Sequence, residues 1–161
     1  MAAEDVVLTA ATADEMKAIG RRLGQAMRVG DVVGLVGGLG AGKTTLAQGI
    51  AAGLEVAADR HVASPTFALV NEHPGRVLFV HADLYRLAGE RELVELGLDE
   101  LFDRAATVIE WADRFPTAVP HDHIRISIDT ASDGTRTLRS QVTGPRGARL
   151  ALILSARNRR D

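Results

Sequence analysis

The chain has 161 residues, of which 46% are hydrophobic and 25% charged, as in an ordinary soluble globular protein. It contains no cysteine, which excludes disulfide bonds and thiolate metal sites. No apolar run approaches the roughly 20 residues of a membrane helix, and the acidic N-terminus does not resemble a signal peptide. We therefore expect one cytoplasmic domain over residues 1–161 without a membrane partner, with a disordered tail at about 155–161.

The net charge of −2 is unevenly distributed along the chain. From Arg136 onward, seven arginines and one acid give +6, which leaves −8 for the remainder. Such asymmetry is found in proteins that bind nucleic acid or an acidic partner. A solvated sheet face followed by a frayed terminus is the simpler interpretation, and we prefer it.

The first predicted elements form a scaffold without chemistry of their own. Val6–Leu8 is a candidate edge strand. Thr12 and Glu15 have the spacing of a capping box, which predicts a helix from there to about Met27 with its apolar residues on one stripe. Gly30-Asp31 then turns the chain into the next strand.

Residues 37–44, Gly-Gly-Leu-Gly-Ala-Gly-Lys-Thr, match the phosphate-binding loop G-x-x-x-x-G-K-[ST]. A β-branched strand precedes the loop and a helix follows it, as the motif requires. Glycines let backbone N–H groups form an anion nest, and the helix N-terminus adds partial positive charge. Lys43 would bind the β- and γ-phosphates of ATP, and the Thr44 hydroxyl would coordinate Mg²⁺. The expected nucleotide-binding residues are Gly38, Leu39, Gly40, Ala41, Gly42, Lys43, Thr44 and Thr45.

Two further candidates lie downstream of this loop. Thr66, in Ser-Pro-Thr-Phe at 64–67, lies where related enzymes place the segment that senses the γ-phosphate and Mg²⁺, although it can also be read as a strand-entry residue. A turn signal at 73–76 predicts an antiparallel hairpin of residues 67–72 and 77–81. The second strand leads to Asp83, which would face the nucleotide from the strand's carboxyl end or, equally well, cap the following turn.

The next stretch ends in a third candidate acid. Residues 90–103 predict two short acidic helices broken near Gly97. The β-branched run at 106–109 then leads into Glu110, a Walker-B-like pattern in which the acid would bind Mg²⁺ or orient the attacking water. Trp111, the single tryptophan, indicates core packing or a wall of the nucleotide site.

The C-terminal part predicts antiparallel strands added to the sheet. Residues 124–129 and parts of 135–142 alternate, Asp133-Gly134 is a hairpin turn, 144–147 is a second turn and 150–154 is apolar. The fold class expected for the whole chain is α/β: a P-loop NTPase-type three-layer sandwich with a mixed central sheet and antiparallel C-terminal strands.

Four motifs in this order resemble the TsaE family, small bacterial P-loop ATPases needed for threonylcarbamoyl modification of adenosine 37 in tRNA. They are Gly-Leu-Gly-Ala-Gly-Lys-Thr-Thr at 38–45, Ser-Pro-Thr-Phe at 64–67, His-Ala-Asp-Leu-Tyr-Arg-Leu at 81–87 and Ile-Glu-Trp at 109–111. The resemblance extends from about Thr12 to Trp111. One departure is His73, where family members often carry an aromatic residue.

The resemblance implies an ATPase of low intrinsic activity that works with the TsaD–TsaB heterodimer and acts on tRNA only indirectly. It implies that Thr44 and Glu110 hold Mg²⁺ and that Asp83 is required. We therefore expect Lys43, Asp83 and Glu110 to be catalytic, with Asp83 also near the metal.

Other functions remain open at this point. A small-molecule P-loop kinase would need an acceptor pocket and an arginine-rich lid. A nucleotide-gated binding module would hydrolyse ATP only incidentally. Direct tRNA contact through the arginines of the C-terminus is a weaker alternative. Arg86 is the nearest internal candidate for a charge that stabilises the transition state.

Overall fold

The computed structural model describes residues 5–63 and 69–156 of the chain. The strands are β1 (Val7–Ala10), β2 (Val32–Val36), β3 (Val70–His73), β4 (Leu78–Asp83), β5 (Ala105–Glu110), β6 (His123–Thr130) and β7 (Arg136–Thr143). The helices are α1 (Ala13–Ala26), α2 (Lys43–Gly53), α3 (Glu90–Glu95), α4 (Leu98–Phe102) and α5 (Gly144–Ser155), with a short 3-10 helix at Pro116–Ala118. Within the described ranges, no helix has the length and apolar character needed to span a membrane.

The strands form one mixed sheet in the order β1-β7-β6-β2-β5-β4-β3. The four central strands, β6, β2, β5 and β4, are parallel, while β1, β7 and β3 pair antiparallel with their neighbours. Because β2, β4 and β5 are parallel, their carboxyl ends meet at one edge of the sheet. The predicted α/β class with a mixed sheet and an antiparallel C-terminal pair is confirmed.

Helices cover both faces of the sheet. On one face, α1, α2 and α5 bury a core that includes Met16, Leu23, Ile50 and Leu154. On the other face, residues between β4 and β5, including Leu87, Leu93 and Leu98, contribute to a second core. The chain therefore has the three layers expected from its sequence.

Helix α2, which begins at Lys43, is held tightly against α1 by glycines. A Cβ on Gly24 would lie 2.1 Å from the Ile50 carbonyl oxygen, and one on Gly53 would lie 2.2 Å from that of Arg21. Neither position can accept a side chain without moving a backbone, so the two helices approach closely. This contact fixes the helix that begins at the phosphate-binding loop.

The predicted start of α1, the break near Gly97 and the β3–β4 hairpin are confirmed. Thr12 is the N-cap of α1, its Oγ1 accepting from the Glu15 N–H at 3.1 Å, and Glu15 Oε2 accepts in return from the Ala11 N–H at 2.5 Å. The break between α3 and α4 is at Gly97, where φ is 67°. The β3–β4 hairpin is present over the described residues, and the predicted strand residues 67 and 68 lie outside them.

The predicted second turn and apolar strand at the C-terminus are wrong, since residues 144–155 form α5. Pro145 lies in its first turn, and the carboxylate of Asp122 accepts from the N–H groups of Arg146 (2.8 Å) and Gly147 (3.2 Å). The buried positions 147, 150, 151 and 154 have helical spacing. Ser155, expected in a disordered tail, is the last residue of α5, and residues 157–161 lie outside the described part.

His73, the departure from the family pattern, packs inside the fold. It is 5% exposed, and its ring stacks on Phe79 with centroids 5.8 Å apart. Arg60 Nε donates to His73 Nδ1 at 3.2 Å. Burial, with the neighbouring charge of Arg60, lowers the pKa of His73. The residue therefore fills an aromatic position in the core.

Candidate functional site

The loop between β2 and α2 has the backbone that anion binding requires. Gly40 and Gly42 have φ values of 75° and 108°, in the left-handed region that favours glycine. Gly42 is also the N-cap of α2 and supplies no side-chain hydrogen bond there. A Cβ on Gly38 or Gly40 would meet none of the described residues within 4 Å, so this face of the loop is open toward the rest of the described chain. The start of α2, with its partial positive charge, thus lies beside an open glycine loop, the arrangement that binds anions.

The loop borders a cavity of about 450 Å³, a size typical of small-molecule sites. Three of the elements around it are the loop with the start of α2, the residues that end β4 and β5, and the start of β7. The cavity is lined by Leu39, Gly40, Ala41, Gly42, Lys43, Thr44, Thr45, Leu69, Asp83, Tyr85, Arg86, Glu110, Trp111 and Arg136. Most of the candidate residues therefore meet in one space.

Lys43 is 5% exposed, and the backbone of the loop holds its side chain. Its Nζ donates to the carbonyl oxygens of Gly37 at 2.8 Å and Gly38 at 2.7 Å. The same atom lies 4.1 Å from the centroid of the Trp111 ring, a cation–π distance. Burial lowers the pKa of Lys43, against the opposing effect of the charges of Glu110 and Asp83.

Asp83 and Glu110 end neighbouring strands and are paired in register across β4 and β5. Their exposed fractions are 8% and 2%. Asp83 Oδ1 accepts from the Tyr85 N–H at 2.9 Å, so this acid also caps the turn, as one of its two interpretations predicted. Burial raises the pKa of Asp83, and the nearby charge of Glu110 adds to the effect, while the Tyr85 N–H opposes it.

The side-chain oxygen atoms at this edge of the sheet fit the coordination of Mg²⁺. Thr44 Oγ1 donates to Glu110 Oε1 and Oε2 at 3.1 and 3.3 Å, which joins the start of α2 to the end of β5. With Asp83 these are oxygen ligands, the type Mg²⁺ prefers. In the described part of the chain, no group of three or more His, Cys, Asp or Glu side chains could hold a metal alone. A site with two carboxylates is nevertheless usual for Mg²⁺ bound together with phosphate oxygens.

Trp111 packs against the core and also forms a wall of the cavity. Its φ is 59°, a left-handed conformation that is strained for a bulky residue. The ring lies 4.8 Å from that of Tyr85 and beneath the Lys43 ammonium, with its other contacts in the second core. Trp111 therefore has both features considered from the sequence: it packs in the core and it lines the cavity. Thr66, by contrast, lies outside the described residues.

Two residues at this site had no role in the sequence-based prediction. His81 is wholly buried, with Nε2 2.5 Å from Glu110 Oε2; alternation along β4 puts it on the same face as Asp83, a signal that was present in the sequence. Arg136, at the start of β7, donates from Nη1 to the Gly40 carbonyl oxygen at 2.8 Å. No local pattern predicts this contact, because it depends on β7 returning beside β6.

Comparison with known proteins gives consistent matches. The family model described as "Threonylcarbamoyl adenosine biosynthesis protein TsaE" matches residues 10–138. The tRNA threonylcarbamoyladenosine biosynthesis protein TsaE of Bacillus subtilis (strain 168) is 38% identical over 144 residues, which cover 88% of this chain and 89% of that protein. The protein of the same name from Streptomyces coelicolor is 42% identical over 125 residues, 74% of this chain and 82% of that one. The crystal structure of Bacillus subtilis YdiB superposes with a TM-score of 0.82 and 31% identity over 96% of this chain and 97% of that chain.

Proposed function

The chain belongs to the TsaE family of tRNA threonylcarbamoyladenosine biosynthesis proteins, and we propose that it is the Mg²⁺-dependent ATPase of that machinery. The observation that carries the proposal is the juxtaposition of Lys43, Asp83 and Glu110 around the open phosphate-binding loop. A lysine with two buried carboxylates beside such a loop fits a triphosphate with a divalent cation. We further propose, from the family resemblance, that the chain acts with the TsaD–TsaB heterodimer.

The loop and Lys43 would bind the phosphates. The start of α2 lines the cavity, and the Lys43 ammonium would exchange the carbonyl oxygens of Gly37 and Gly38 for phosphate oxygens. Thr44, Glu110 and Asp83 would hold Mg²⁺, which neutralises phosphate charge when bound. Before a nucleotide binds, the cation–π contact with the Trp111 ring would keep the Lys43 ammonium beside the loop.

Asp83 is suited to orient the attacking water and to accept its proton. A general base works best when its pKa lies nearer the working pH, and burial raises the pKa of this carboxyl. Glu110 is held from two sides, by Thr44 and by His81, as a metal ligand would be. We therefore assign the proton to Asp83, which would reach Mg²⁺ through a water, and direct coordination of the metal to Thr44 and Glu110.

Exposed apolar side chains at the cavity favour a partner-dependent reaction. Leu39 is 75% exposed and Tyr85 is 41% exposed, and both line the cavity. A protein that docks there would cover apolar surface and exclude water from the nucleotide. We therefore expect slow hydrolysis by the chain alone and faster hydrolysis with TsaD–TsaB.

The test is ATP hydrolysis by wild type and Lys43→Ala, each with and without TsaD–TsaB. We expect Lys43→Ala to lower turnover about 100-fold or more, the loss typical when a charge-stabilising donor is removed. Lys17→Ala, on the exposed face of α1, is the matched control and should behave as wild type. Equal turnover in wild type and Lys43→Ala would refute the proposal.

The fate of the phosphate separates the alternative functions. With ATP labelled on the γ-phosphate, we expect the label to appear as inorganic phosphate. Transfer to a metabolite would instead identify a kinase. A variant that binds ATP without hydrolysing it, yet still supports tRNA modification, would identify a nucleotide-gated binding module.

A further inference from the structure

His81 contacts the carboxylate that the proposed function assigns to the metal. Its side chain on β4 is 0% exposed, and its Nε2 lies 2.5 Å from Glu110 Oε2. The same carboxylate accepts from Thr44 Oγ1. Glu110 is thus held between an imidazole from the sheet and a hydroxyl from the first turn of α2.

The second ring nitrogen of His81 shows that packing alone does not explain the residue. His81 Nδ1 is buried and has no hydrogen-bond partner among residues 5–63 and 69–156. A buried polar atom without a partner costs about 1–3 kcal/mol, and an apolar side chain of similar size would avoid that cost. Since a carboxylate accepts hydrogen bonds, the geometry assigns the proton to Nε2. The hydrogen bond between His81 and Glu110 offsets the free-energy cost of burying Nδ1.

The imidazole is also held in a single orientation. Phe79, His81 and Asp83 alternate along β4 and lie on the same face of the sheet. The Phe79 and His81 rings stack with centroids 5.9 Å apart and planes inclined by 21°. Full burial and this stack restrict movement of the imidazole, so its hydrogen bond restrains the Glu110 carboxylate.

On the premise of the proposed function, we propose that His81 is a positioning residue that fixes the rotamer of Glu110 for binding the divalent cation. The Nε2–H group donates to Oε2 on the strand side, while Thr44 Oγ1 donates to the same carboxylate from the first turn of α2. Outer hydrogen bonds of this kind orient metal ligands, and their loss typically costs about 10–100-fold in metal affinity or activity.

His73 supplies a matched control within the same stack. It is buried like His81, has one ring nitrogen without a partner in the described part of the chain, and also stacks on Phe79, with centroids 5.8 Å apart. Its register partner across the hairpin is Phe79, and its ring nitrogen Nδ1 accepts from Arg60. A general effect of removing a buried histidine should therefore appear at both positions, and a positioning effect only at His81.

The experiment measures Mn²⁺ binding to the complex of the full chain with ADP, by electron paramagnetic resonance, which does not depend on turnover. We expect His81→Leu to weaken Mn²⁺ affinity about 10-fold and His73→Leu to leave it near the wild-type value. Equal losses in the two variants, or a folded His81→Leu protein with wild-type affinity, would overturn the proposal.

A second pair of variants decides the matter if His81→Leu does not fold. The Gln amide nitrogen occupies the position of His Nε2, whereas the Asn amide ends one bond short of it. His81→Gln should therefore keep most of the Mn²⁺ affinity and His81→Asn should lose it; equal affinities would overturn the proposal. If the wild-type complex with ADP binds no Mn²⁺, the proposed metal site itself fails, a result distinct from equal binding by wild type and the His81 variants.

Discussion

Buried charges lie at both ends of strand β2, and the two groups differ in what their charges face. At the amino end, the wholly buried Asp31 accepts from Arg149, from Arg146 at 3.2 Å and from the Arg28 N–H at 2.7 Å. At the carboxyl end, Lys43, Asp83 and Glu110 surround a cavity of about 450 Å³. The first group faces its own partners, and the second faces space that a ligand can enter.

This difference separates charges that hold the fold from charges that we propose bind a ligand. The arginines on Asp31 belong to α5, so the pair ties the C-terminal helix to the start of β2 and accounts for part of the positive charge of the C-terminal region. At the other end, burial raises the pKa of Asp83 and lowers that of Lys43, which means that their charged forms are disfavoured there. Perturbed groups of this kind are typical of functional sites.

The largest effect is expected at the carboxyl end, from Glu110→Ala. Turnover at saturating Mg·ATP should fall about 100-fold or more, while nucleotide binding is partly retained because Lys43 and the loop remain. Steady-state hydrolysis and titration with a fluorescent ATP analogue measure the two quantities. Glu95→Ala, on the exposed end of α3, is the control. Unchanged turnover of Glu110→Ala would count against the metal role.

At the amino end we expect a loss of stability instead. Asp31→Ala should lower the free energy of unfolding by about 2–3 kcal/mol, less than for a pair buried on both sides because the arginines are partly exposed. Urea unfolding gives the value, and Asp59→Ala, in an exposed loop, should change it by less than about 0.5 kcal/mol. A wild-type unfolding midpoint for Asp31→Ala would show that the paired charges do not hold α5.

A substitution at Arg136 tests whether a charge from the C-terminal strands contributes to the site at the carboxyl end of β2. Its hydrogen bond to the Gly40 carbonyl braces the loop, and Arg136→Ala should weaken ATP binding about 10-fold, as expected for one charge-assisted hydrogen bond. Arg139→Ala removes an exposed arginine from the same strand and should bind ATP as wild type does. Equal weakening in both variants would point to net charge rather than to this contact.

The group of residues at the carboxyl end of β2 was largely predictable because its sequence signals are local. The glycine loop is recognisable from spacing, and the strands that end in Asp83 and Glu110 are recognisable from apolar runs followed by an acid. Parallel strands then bring both acids to one edge. His81 carried a readable signal, its alternation with Asp83, but its contact with Glu110 depends on the β4–β5 register.

The C-terminal part was harder to predict because its contacts are distant in the sequence. The first turn of α5 donates hydrogen bonds to Asp122, 24 residues before Arg146, and the apolar run at 150–154 is too short to distinguish strand from helix. The Arg136–Gly40 contact joins residues 96 apart. Such contacts follow from the strand order, which local patterns do not specify.

The most direct test of the contrast between the two ends is Asp83→Asn, measured for both stability and turnover. The folded state raises the pKa of Asp83 above its ordinary value of 3.8. Ionisation of this carboxyl therefore lowers the free energy of unfolding as the pH rises from 3.8 through the raised pKa. Asparagine keeps the oxygen that accepts from the Tyr85 N–H and removes the charge. At pH 7 we predict a Tm higher by about 1–3 °C, with the difference disappearing toward pH 4, and a large loss of ATP turnover. A lower Tm at pH 7, or turnover equal to wild type, would contradict the account.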